Sequence, residues 1–397
     1  MSLRTLIILL ALSMPIVCMG QEADSLKQTR QDSLAITEAD DFVTASILVA
    51  TPSNVLYSCA GHASIRLQCP HYGLDIVYTY ESESVTDRVW TFLKGDLKMG
   101  MTAVPTERVL TDFGKEGRGV TEYVLNIPLE KRKQLWQFLD EKVEEGMNMP
   151  YDYLNRSCAL ICLRSVSTAL LPDTLSFGEW DERLVKESRR ALLGDIIGDF
   201  PWNRFFIFTI AGTEADQPCA ITDKVVVPPD LIGVLQKATL NGQPVLDTPN
   251  TLVNQTVGIE KSGWLTPVVL ACVLLLLAIV SCFWMQRPLS LFLLVVQSVF
   301  GLLLTYLIAF STLPVTNFSW LIIPFNPLPL VLWHWRKWWL LPFALICIVW
   351  SIVMLARAGN PLVDPAHIFL ALALAVNYVG QFNLIRKTNL IKLKQNK

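Results

Sequence analysis

Two residues in the N-terminal half have the side chains and the setting for thiol chemistry. Cys158 begins a predicted helix that extends to Leu171, and either Asn155 or Ser157 can serve as its N-cap. A cysteine in the first turn of a helix lies near exposed backbone N–H groups and the positive end of the helix dipole, which stabilise a thiolate. His62 lies on the polar face of a predicted strand, and an imidazole is a common base for a thiol nucleophile. The pattern therefore predicts a Cys158–His62 pair of nucleophile and base.

The same residues leave other interpretations open, because a cysteine and a histidine far apart in a sequence often occur together by chance. Cys158 and Cys162 share one face of the predicted helix, where buried cysteines are often ordinary packing residues. His71 follows Pro70 in a predicted turn and is expected to be solvated. The exported part has no Cys-x2-Cys or His-x3-His spacing, so we predict neither a metal site nor a cofactor.

The elements that hold these residues follow from the local pattern. Residues 45–50 form a short apolar run that predicts a buried strand. Asn54–Leu67 alternates apolar and polar residues, Leu74–Tyr80 is rich in β-forming residues, and turn residues separate them, so they predict an antiparallel hairpin. A helix is predicted from Pro128 to Gly146, ahead of the Cys158 helix. Strands followed by helices indicate an α+β domain.

The predicted hairpin gives His62 its neighbours. If the turn centres near residues 70–71, His62 lies opposite Thr79 or Tyr80, and Arg66 lies opposite Asp75. We expect Thr79 or Tyr80 to orient the imidazole, and Arg66 and Asp75 to form a cross-strand ion pair.

Composition divides the chain into an exported part and a membrane part. Hydrophobic residues make up 52% of the chain and charged residues 17%, which is unusual for one soluble domain. Arg4, a short apolar run and small residues before Gln21 predict a signal peptide over 1–20, followed by a polar tether over 21–41. We place a Cys/His domain over 42–258. The net charge of −2 gives no basic field for nucleic acid.

The cysteine count of the exported part points to a thiol outside any disulfide. Its five cysteines are Cys59, Cys69, Cys158, Cys162 and Cys219. Five is an odd number, so at least one thiol stays unpaired in a compartment that permits disulfides. Cys158 is our candidate for that thiol, and the pairing of the other cysteines stays open.

The C-terminal part predicts a bundle of five membrane-spanning helices over 264–385. Each of its apolar runs is near the ~20 residues that a spanning helix needs; they are Trp264–Met285, Leu289–Phe310, Phe318–Trp335, Trp338–Ala356 and His367–Ile385. Prolines interrupt the third run, which is either a broken span or a re-entrant segment. Five crossings put eight Lys and Arg residues on the cytoplasmic side, including the basic tail 386–397, so the positive-inside rule favours five.

Phrases in order along the whole chain resemble the Lnb-type lipoprotein N-acyltransferases. The N-terminal domain resembles their periplasmic domain through ASILVATPSNVLYSCAGHASIRL, LDIVYTYES, FLKGDLKMGMTAV, YDYLNRSCALICLRS, FPWNRFFIFTIAGTEADQP and ATLNGQPVL. The run GLLLTYLIAFSTLPVTNFSWLIIPFNPLPL resembles the membrane region of that family. The resemblance implies a domain similar to circularly permuted papain-like and NlpC-like thiol enzymes, in which the His strand precedes the Cys helix.

The resemblance also assigns residues and shows two departures. The family's Gly-His falls at His62, and its Asn-Cys falls at Cys158, where this chain has Ser157 in place of Asn. The family's second strand commonly reads Tyr-Asn-Tyr-Gly, whereas this chain has Thr79 and Glu81 at the Asn and Gly positions. An amide would orient the imidazole better than a hydroxyl, so these departures leave reduced activity open.

The resemblance implies acyl transfer at the bacterial inner membrane, with a periplasmic N-terminal domain and a cytoplasmic C-terminus. A thioester on Cys158 would carry an acyl chain from a phospholipid to the N-terminal cysteine α-amine of diacylated lipoproteins. Arg66 is expected to contact the donor phosphate, paired with Asp75 when the site is empty. Two alternatives stay open: an NlpC-like cell-wall peptidase or amidase, and a non-catalytic membrane protein that binds lipids or lipoproteins.

Overall fold

The computed structural model describes residues 27–28, 31, 33–54, 58–85, 87–256, 263–284, 286–332 and 335–395. The predicted signal peptide over 1–20 lies outside the described residues and stays a prediction. Of the predicted tether, residues 33–38 form a helical turn, and Asp40 pairs with Arg132 at 2.6 Å.

A seven-stranded antiparallel sheet forms the centre of the N-terminal domain, in the spatial order β6-β4-β3-β2-β1-β5-β9. Two short strands, β7 and β8, pair separately. The strands are β1 Thr44–Ala50, β2 His62–Cys69, β3 Leu74–Ser82, β4 Lys98–Pro105, β5 Val120–Val124, β6 Met149–Pro150, β7 Thr239–Leu240, β8 Gln243–Pro244 and β9 Asn250–Val253.

Helices surround this sheet and then continue into the C-terminal part. Those of the N-terminal domain are α1 Val89–Lys94, α2 Thr106–Lys115, α3 Leu129–Glu144, α4 Cys158–Ala169, α5 Glu182–Lys186, α6 Arg189–Ile196, α7 Pro201–Ile210 and α8 Pro228–Lys237. Those of the C-terminal part are α9 Pro267–Ser281, α10 Gln286–Ala309, α11 Leu328–Val331, α12 Arg336–Leu355 and α13 Pro365–Gln395. The predicted α+β domain and the following helical region are both confirmed.

The sheet has a main core on one face and a smaller cluster on the other. Ile65 of β2 is 1% exposed and packs with Leu163 of α4 in the main core. On the opposite face, Val77 packs against Phe113 of α2. Full burial of one such aliphatic side chain contributes about 1.5–3 kcal/mol, so the alternation along β2 fixes which face receives His62.

The β2–β3 hairpin exists, but its register differs from the prediction by two residues. Gln68 pairs with Asp75 and Arg66 pairs with Val77, because a 3-10 turn at Pro70–Tyr72 moves the centre of the hairpin. A shift of two residues keeps every side chain on its face. The predicted ion pair therefore still forms, between diagonally opposite residues of the two strands, with Arg66 Nη2 at 2.6 Å from Asp75 Oδ2.

Strand β2 begins at His62, so its predicted start at Asn54 was wrong. Gly61 has φ +88, and a Cβ there would lie 2.9 Å from the backbone oxygen of Ala50. Glycine alone tolerates this turn, which brings the chain into the sheet with His62 as the first strand residue.

The membrane part contains three described helices that are long and apolar enough to cross a membrane: 287–309, 338–355 and 365–388. Helix α9 is apolar but has only 15 residues. The predicted number of five spans is therefore not confirmed.

The third predicted span, 318–335, is not one continuous helix in its described part. It contains a 3-10 turn at Trp320–Ile322 and the four-residue helix α11, since its prolines cannot donate helical hydrogen bonds. Gln297 of α10 donates from Nε2 to the carbonyl of Pro324 at 3.2 Å. A side chain of a neighbouring helix thus satisfies backbone that the prolines leave without a partner.

Two indole hydrogen bonds give the direction of this broken segment. Trp350 Nε1 donates to the carbonyl of Trp320 at 2.9 Å, and Trp339 Nε1 donates to the carbonyl of Leu332 at 2.7 Å. Trp320, early in the segment, thus contacts Trp350, late in α12. Leu332, late in the segment, contacts Trp339, early in α12. The segment therefore runs antiparallel to α12.

The N-terminal domain is joined to the helical part by hydrogen bonds and a buried histidine. The backbone N–H of Thr312 donates to the carbonyl of Lys94 at 2.8 Å. His367 lies near the start of α13, at the end of an apolar run. Its side chain is 0% exposed, hydrogen-bonded to Thr209 and stacked on Phe205 at 4.5 Å. Helix α7 therefore rests directly on the start of α13.

Candidate functional site

Cys158 is the first residue of α4, as the sequence predicts. Ser157 is the N-cap, and its Oγ accepts a hydrogen bond from the backbone N–H of Leu160 at 3.2 Å. The half-buried thiol of Cys158 lies within hydrogen-bonding reach of the backbone N–H of Ala63 in β2. The helix start is thus held against the strand residue that follows His62.

Asn155 organises the loop before α4 and does not line the cavity described below. Its Nδ2 donates to Asp152 Oδ2 and to Glu214 Oε1, both at 2.9 Å, and its Oδ1 accepts from Arg189 Nη1 at 2.5 Å. This network fixes the loop that places Cys158. Of the two N-cap candidates, Ser157 therefore caps the helix, and Asn155 holds the loop that precedes it.

His62 is oriented by Thr79. The Nε2 atom of His62 lies 2.7 Å from Thr79 Oγ1, and the Thr79 hydroxyl donates to Glu81 Oε1 at 3.2 Å. Thr79 is 6% exposed, whereas Glu81 faces an open cavity. The three side chains form a chain from carboxylate to hydroxyl to imidazole.

This chain of hydrogen bonds selects one tautomer of His62. The Thr79 hydroxyl has a single proton, and it donates that proton to Glu81 Oε1. Thr79 Oγ1 must then accept from His62 Nε2–H, which leaves Nδ1 as the basic nitrogen. We infer a neutral imidazole with a free lone pair on Nδ1.

The pKa values of both groups favour neutral forms. Burial lowers the pKa of His62 to about 4, and the positive charge of Arg118 contributes to the decrease. Burial raises the pKa of the Cys158 thiol, and the backbone N–H groups of Ala63 and Ala159 offset only part of that increase. The expected net decrease of the thiol pKa was wrong, because desolvation outweighs the helix terminus.

His62 and Cys158 line the same cavity of about 320 Å³. Among the described residues, no hydrogen bond joins the imidazole to the thiol; the imidazole is bonded to Thr79 instead. Catalytic hydrogen bonds are often long or absent before substrate binds. The two side chains thus line one cavity without a hydrogen bond between them.

Both polar and apolar side chains line the cavity. The polar lining includes His62, Glu81, Glu116, Arg118 and Arg156. The apolar lining includes Val85, Phe92, Phe206 and Ile210, which share one packed cluster with Leu303, Tyr306 and Leu307 of α10. A molecule with a polar head and a hydrocarbon chain matches this mixed lining, and the apolar residues adjoin a membrane helix.

Tyr80, Arg66 and Asp75 are hydrogen-bonded to groups other than His62 and Cys158. Tyr80 lines the cavity, but its hydroxyl donates to Met149 Sδ at 3.3 Å and does not contact His62. Arg66 does not line the cavity, and it is paired with both Asp75 and Glu122, at 2.6 and 2.8 Å. Arg66 is paired with Asp75, as expected for an empty site, and its expected contact with a donor phosphate stays a prediction.

Sequence reasoning missed Glu81, Arg118 and Arg156 as residues of the site. Glu81 had a signal, because it lies two residues after Thr79 and so shares its face of β3. No local sequence pattern indicated Arg118, because the turn before β5 brings it to the cavity from a distant part of the chain.

The cysteines of the N-terminal domain form no disulfide within the described part of the chain. Cys162 is 4% exposed in the main core, as the packing interpretation predicts. Cys59 lines the cavity and is hydrogen-bonded to the Asn203 side chain. No group of three or more His, Cys, Asp or Glu residues in the described ranges could hold a metal ion.

Comparison with known proteins finds one family model that is similar to part of the N-terminal domain. Residues 34–182 match the model of the Lnb N-terminal periplasmic domain, and this range includes both His62 and Cys158. No curated protein matches the chain. No solved structure matches it either, so the predicted likeness to permuted NlpC-like enzymes stays a prediction.

Proposed function

We propose that this chain is a thiol-dependent lipoprotein N-acyltransferase of the inner membrane; the match of residues 34–182 to the Lnb N-terminal periplasmic domain supports the proposal. The observation that carries this proposal is the shared cavity. A cysteine at a helix start and a histidine with a basic nitrogen line it together, beside apolar residues that adjoin a membrane helix. Both substrates of such an enzyme are lipids.

The first half of the reaction forms a thioester. His62 Nδ1 takes the proton of the Cys158 thiol as the sulfur attacks an ester carbonyl of the phospholipid. The carbon–sulfur bond forms, the ester carbon–oxygen bond breaks, and the imidazolium returns its proton to the leaving glycerol oxygen. The product is a lysophospholipid. Backbone N–H groups of Cys158 and Ala159 are suited to stabilise the oxyanion.

The second half transfers the acyl group to the lipoprotein. The α-amine has a pKa near ~8, so a useful fraction is neutral and nucleophilic at neutral pH. It attacks the thioester, the carbon–sulfur bond breaks, and an amide forms. The proton lost by nitrogen returns to the sulfur through His62, which restores the thiol.

The surface near the cavity suits access from the bilayer. Helix α1 follows Val85 of the cavity wall and exposes Val89 and Trp90, which are 46% and 69% accessible. Trp90 lies edge-on to Tyr306 near the end of membrane helix α10, at 6.4 Å between ring centres. Aromatic side chains favour the interface between lipid and water, so α1 is placed to let acyl chains enter sideways.

We also propose five membrane crossings, with the broken segment 318–335 as the third. Its antiparallel course along α12 and its contacts with α10 support this, as does the hydrogen bond from Ser188 N to Asn360 after α12. Cysteines introduced at Asn317 and Lys387 test it with a membrane-impermeant thiol reagent, because residue 317 lies outside with five crossings but inside if only the three long helices cross. We expect labelling of intact cells at Asn317 and only after lysis at Lys387; labelling of Asn317 only after lysis would refute five crossings.

The acyl transfer is tested in a strain that lacks lipoprotein N-acylation. Wild type, Cys158→Ala and the matched control Cys162→Ala are expressed, and lipoprotein N-terminal peptides are measured by mass spectrometry. We expect N-acylated peptides with the wild type and Cys162→Ala, and none with Cys158→Ala. Diacylated peptides alone in the wild type would refute the function, and activity in Cys158→Ala would refute the nucleophile.

A further inference from the structure

Within the described part of the chain, the charges of the cavity leave one arginine without a counter-ion. Two carboxylates line the cavity, and both are engaged: Glu81 with the Thr79 hydroxyl and Glu116 with Arg118 Nη1 at 3.3 Å. Arg156 donates from Nη1 to the carbonyl of Pro150 at 2.8 Å, and no described carboxylate lies within 4.0 Å of it. Its guanidinium is partly exposed and keeps donors for a ligand.

The other arginines near the site are less suited to a ligand. Arg118 is 2% exposed, donates to the Thr51 carbonyl at 2.8 Å, and lies over the Phe113 ring at 4.5 Å. It is therefore part of the cavity wall. Arg66 lies outside the cavity between two carboxylates.

Arg156 lies two residues before Cys158, so their Cα atoms are at most about 7 Å apart. In a glycerophospholipid, only the glycerol unit separates the phosphate from the ester carbonyls. An ester carbonyl at the thiol thus brings the phosphate within reach of a side chain as long as arginine. Guanidinium is the side chain best matched to phosphate oxygens, which it binds through two parallel hydrogen bonds.

We propose that Arg156 binds the phosphate of the acyl donor, so that the site selects phospholipids over neutral glyceryl esters. This inference rests on the proposed function. It answers a chemical problem of that function, because a diacylated lipoprotein itself carries two acyl esters on a glyceryl group. A thiol that attacked any such ester would deacylate its own acceptor. The phosphate distinguishes the donor, since the lipoprotein's glyceryl group has none.

The test compares two donors with the purified full-length protein in nanodiscs. Phosphatidylethanolamine and dioleoylglycerol are supplied separately, and the release of lysophospholipid or monoacylglycerol is measured in a single turnover. The variants are Arg156→Gln, Arg156→Lys and the control Arg108→Gln. Arg108 lies on α2 outside the cavity and is paired with Asp112 at 3.7 Å.

We expect the wild type to prefer the phospholipid. Arg156→Gln should lower the phospholipid rate about 10- to 100-fold, the effect of losing charge-assisted hydrogen bonds, and leave the dioleoylglycerol rate unchanged. Arg156→Lys should restore part of the loss, and Arg108→Gln should match the wild type. Equal losses on both donors, or no preference in the wild type, would overturn the proposal.

A binding measurement separates this inference from the proposed function. An ether-linked phosphatidylethanolamine, which cannot be deacylated, is titrated against Cys158→Ser with and without Arg156→Gln. Weaker binding of the double variant supports the phosphate site even if the wild type transfers no acyl group. Equal binding overturns the site even if acyl transfer is confirmed.

Discussion

The Thr79 hydroxyl supports the chemistry only if it fixes the orientation of His62. Thr79→Val tests this, because valine has nearly the same shape and carries a methyl group in place of the hydroxyl. The change deletes the 2.7 Å contact with His62 Nε2 and the 3.2 Å bond to Glu81 Oε1. The sheet should be unaffected, since the backbone partner of Thr79 in β4 is Thr102, and its pairing does not use the hydroxyl.

The size of the effect follows from the group that is left unpaired. A buried donor without a partner costs about 1–3 kcal/mol, here the Nε2–H of His62. If the productive orientation of the imidazole loses that free energy, the rate falls about 5- to 150-fold. Substrate binding should change little, because Thr79 does not line the cavity.

The assay is lysophospholipid release in a single turnover, with alkylation of Cys158 by iodoacetamide measured alongside. Both rates should fall together in Thr79→Val. The control is Thr102→Val on β4, whose hydroxyl donates to the Thr79 carbonyl at 3.4 Å and has no other hydrogen bond among the described residues. An unchanged rate in Thr79→Val, or an equal loss in Thr102→Val, would refute the orienting role.

Two further predictions concern stability. The pKa of His62 is about 4 in the folded protein and 6.5 in an unfolded chain, so the unfolded state binds more protons between these pH values. The free energy of unfolding should therefore be full above pH 6.5 and fall by up to about 3 kcal/mol towards pH 4. His62→Gln should remove this pH dependence in thermal unfolding scans. Gly61→Ala should lower the melting temperature more than Gly73→Ala, because both glycines have positive φ but only Gly61 lacks room for a Cβ; equal losses would contradict the clash.

Local signals in the sequence were sufficient to predict the start of α4 and to narrow its N-cap to Asn155 or Ser157. Ser157 and the apolar spacing after it determine where the helix begins, and that decision depends on neighbours within one turn. The hairpin register was harder, because the turn at Pro70–Tyr72 moved it by two residues, yet Arg66 and Asp75 still met.

Long-range packing determined what the sequence could not predict. A helix start favours a thiolate at Cys158, but the folded domain buries the thiol and the pKa rises instead. Arg118 reaches the cavity through the sheet order, which brings β5 beside β1. The apolar run at 318–335 has the composition of a span, but its prolines give a broken segment.

The two departures on β3 become related once the contacts are known. The similar family commonly has Asn and Gly where this chain has Thr79 and Glu81. A threonine hydroxyl alone can turn and donate to His62 Nε2, which would put the proton on Nδ1. Glu81 prevents this by accepting the hydroxyl proton. Thr79 and Glu81 together thus orient His62 as one amide oxygen could.

This relation predicts coupling between the two positions. Glu81→Gly alone should lower single-turnover lysophospholipid release about 10-fold, because the hydroxyl then competes for the wrong tautomer. In the Thr79→Asn background the same Glu81→Gly change should have little effect, because an amide oxygen accepts from Nε2–H without help. The double-mutant cycle should give a coupling of about 1 kcal/mol, within the range for residues in contact. Additive losses would show that Glu81 acts through the charge of the cavity rather than through Thr79.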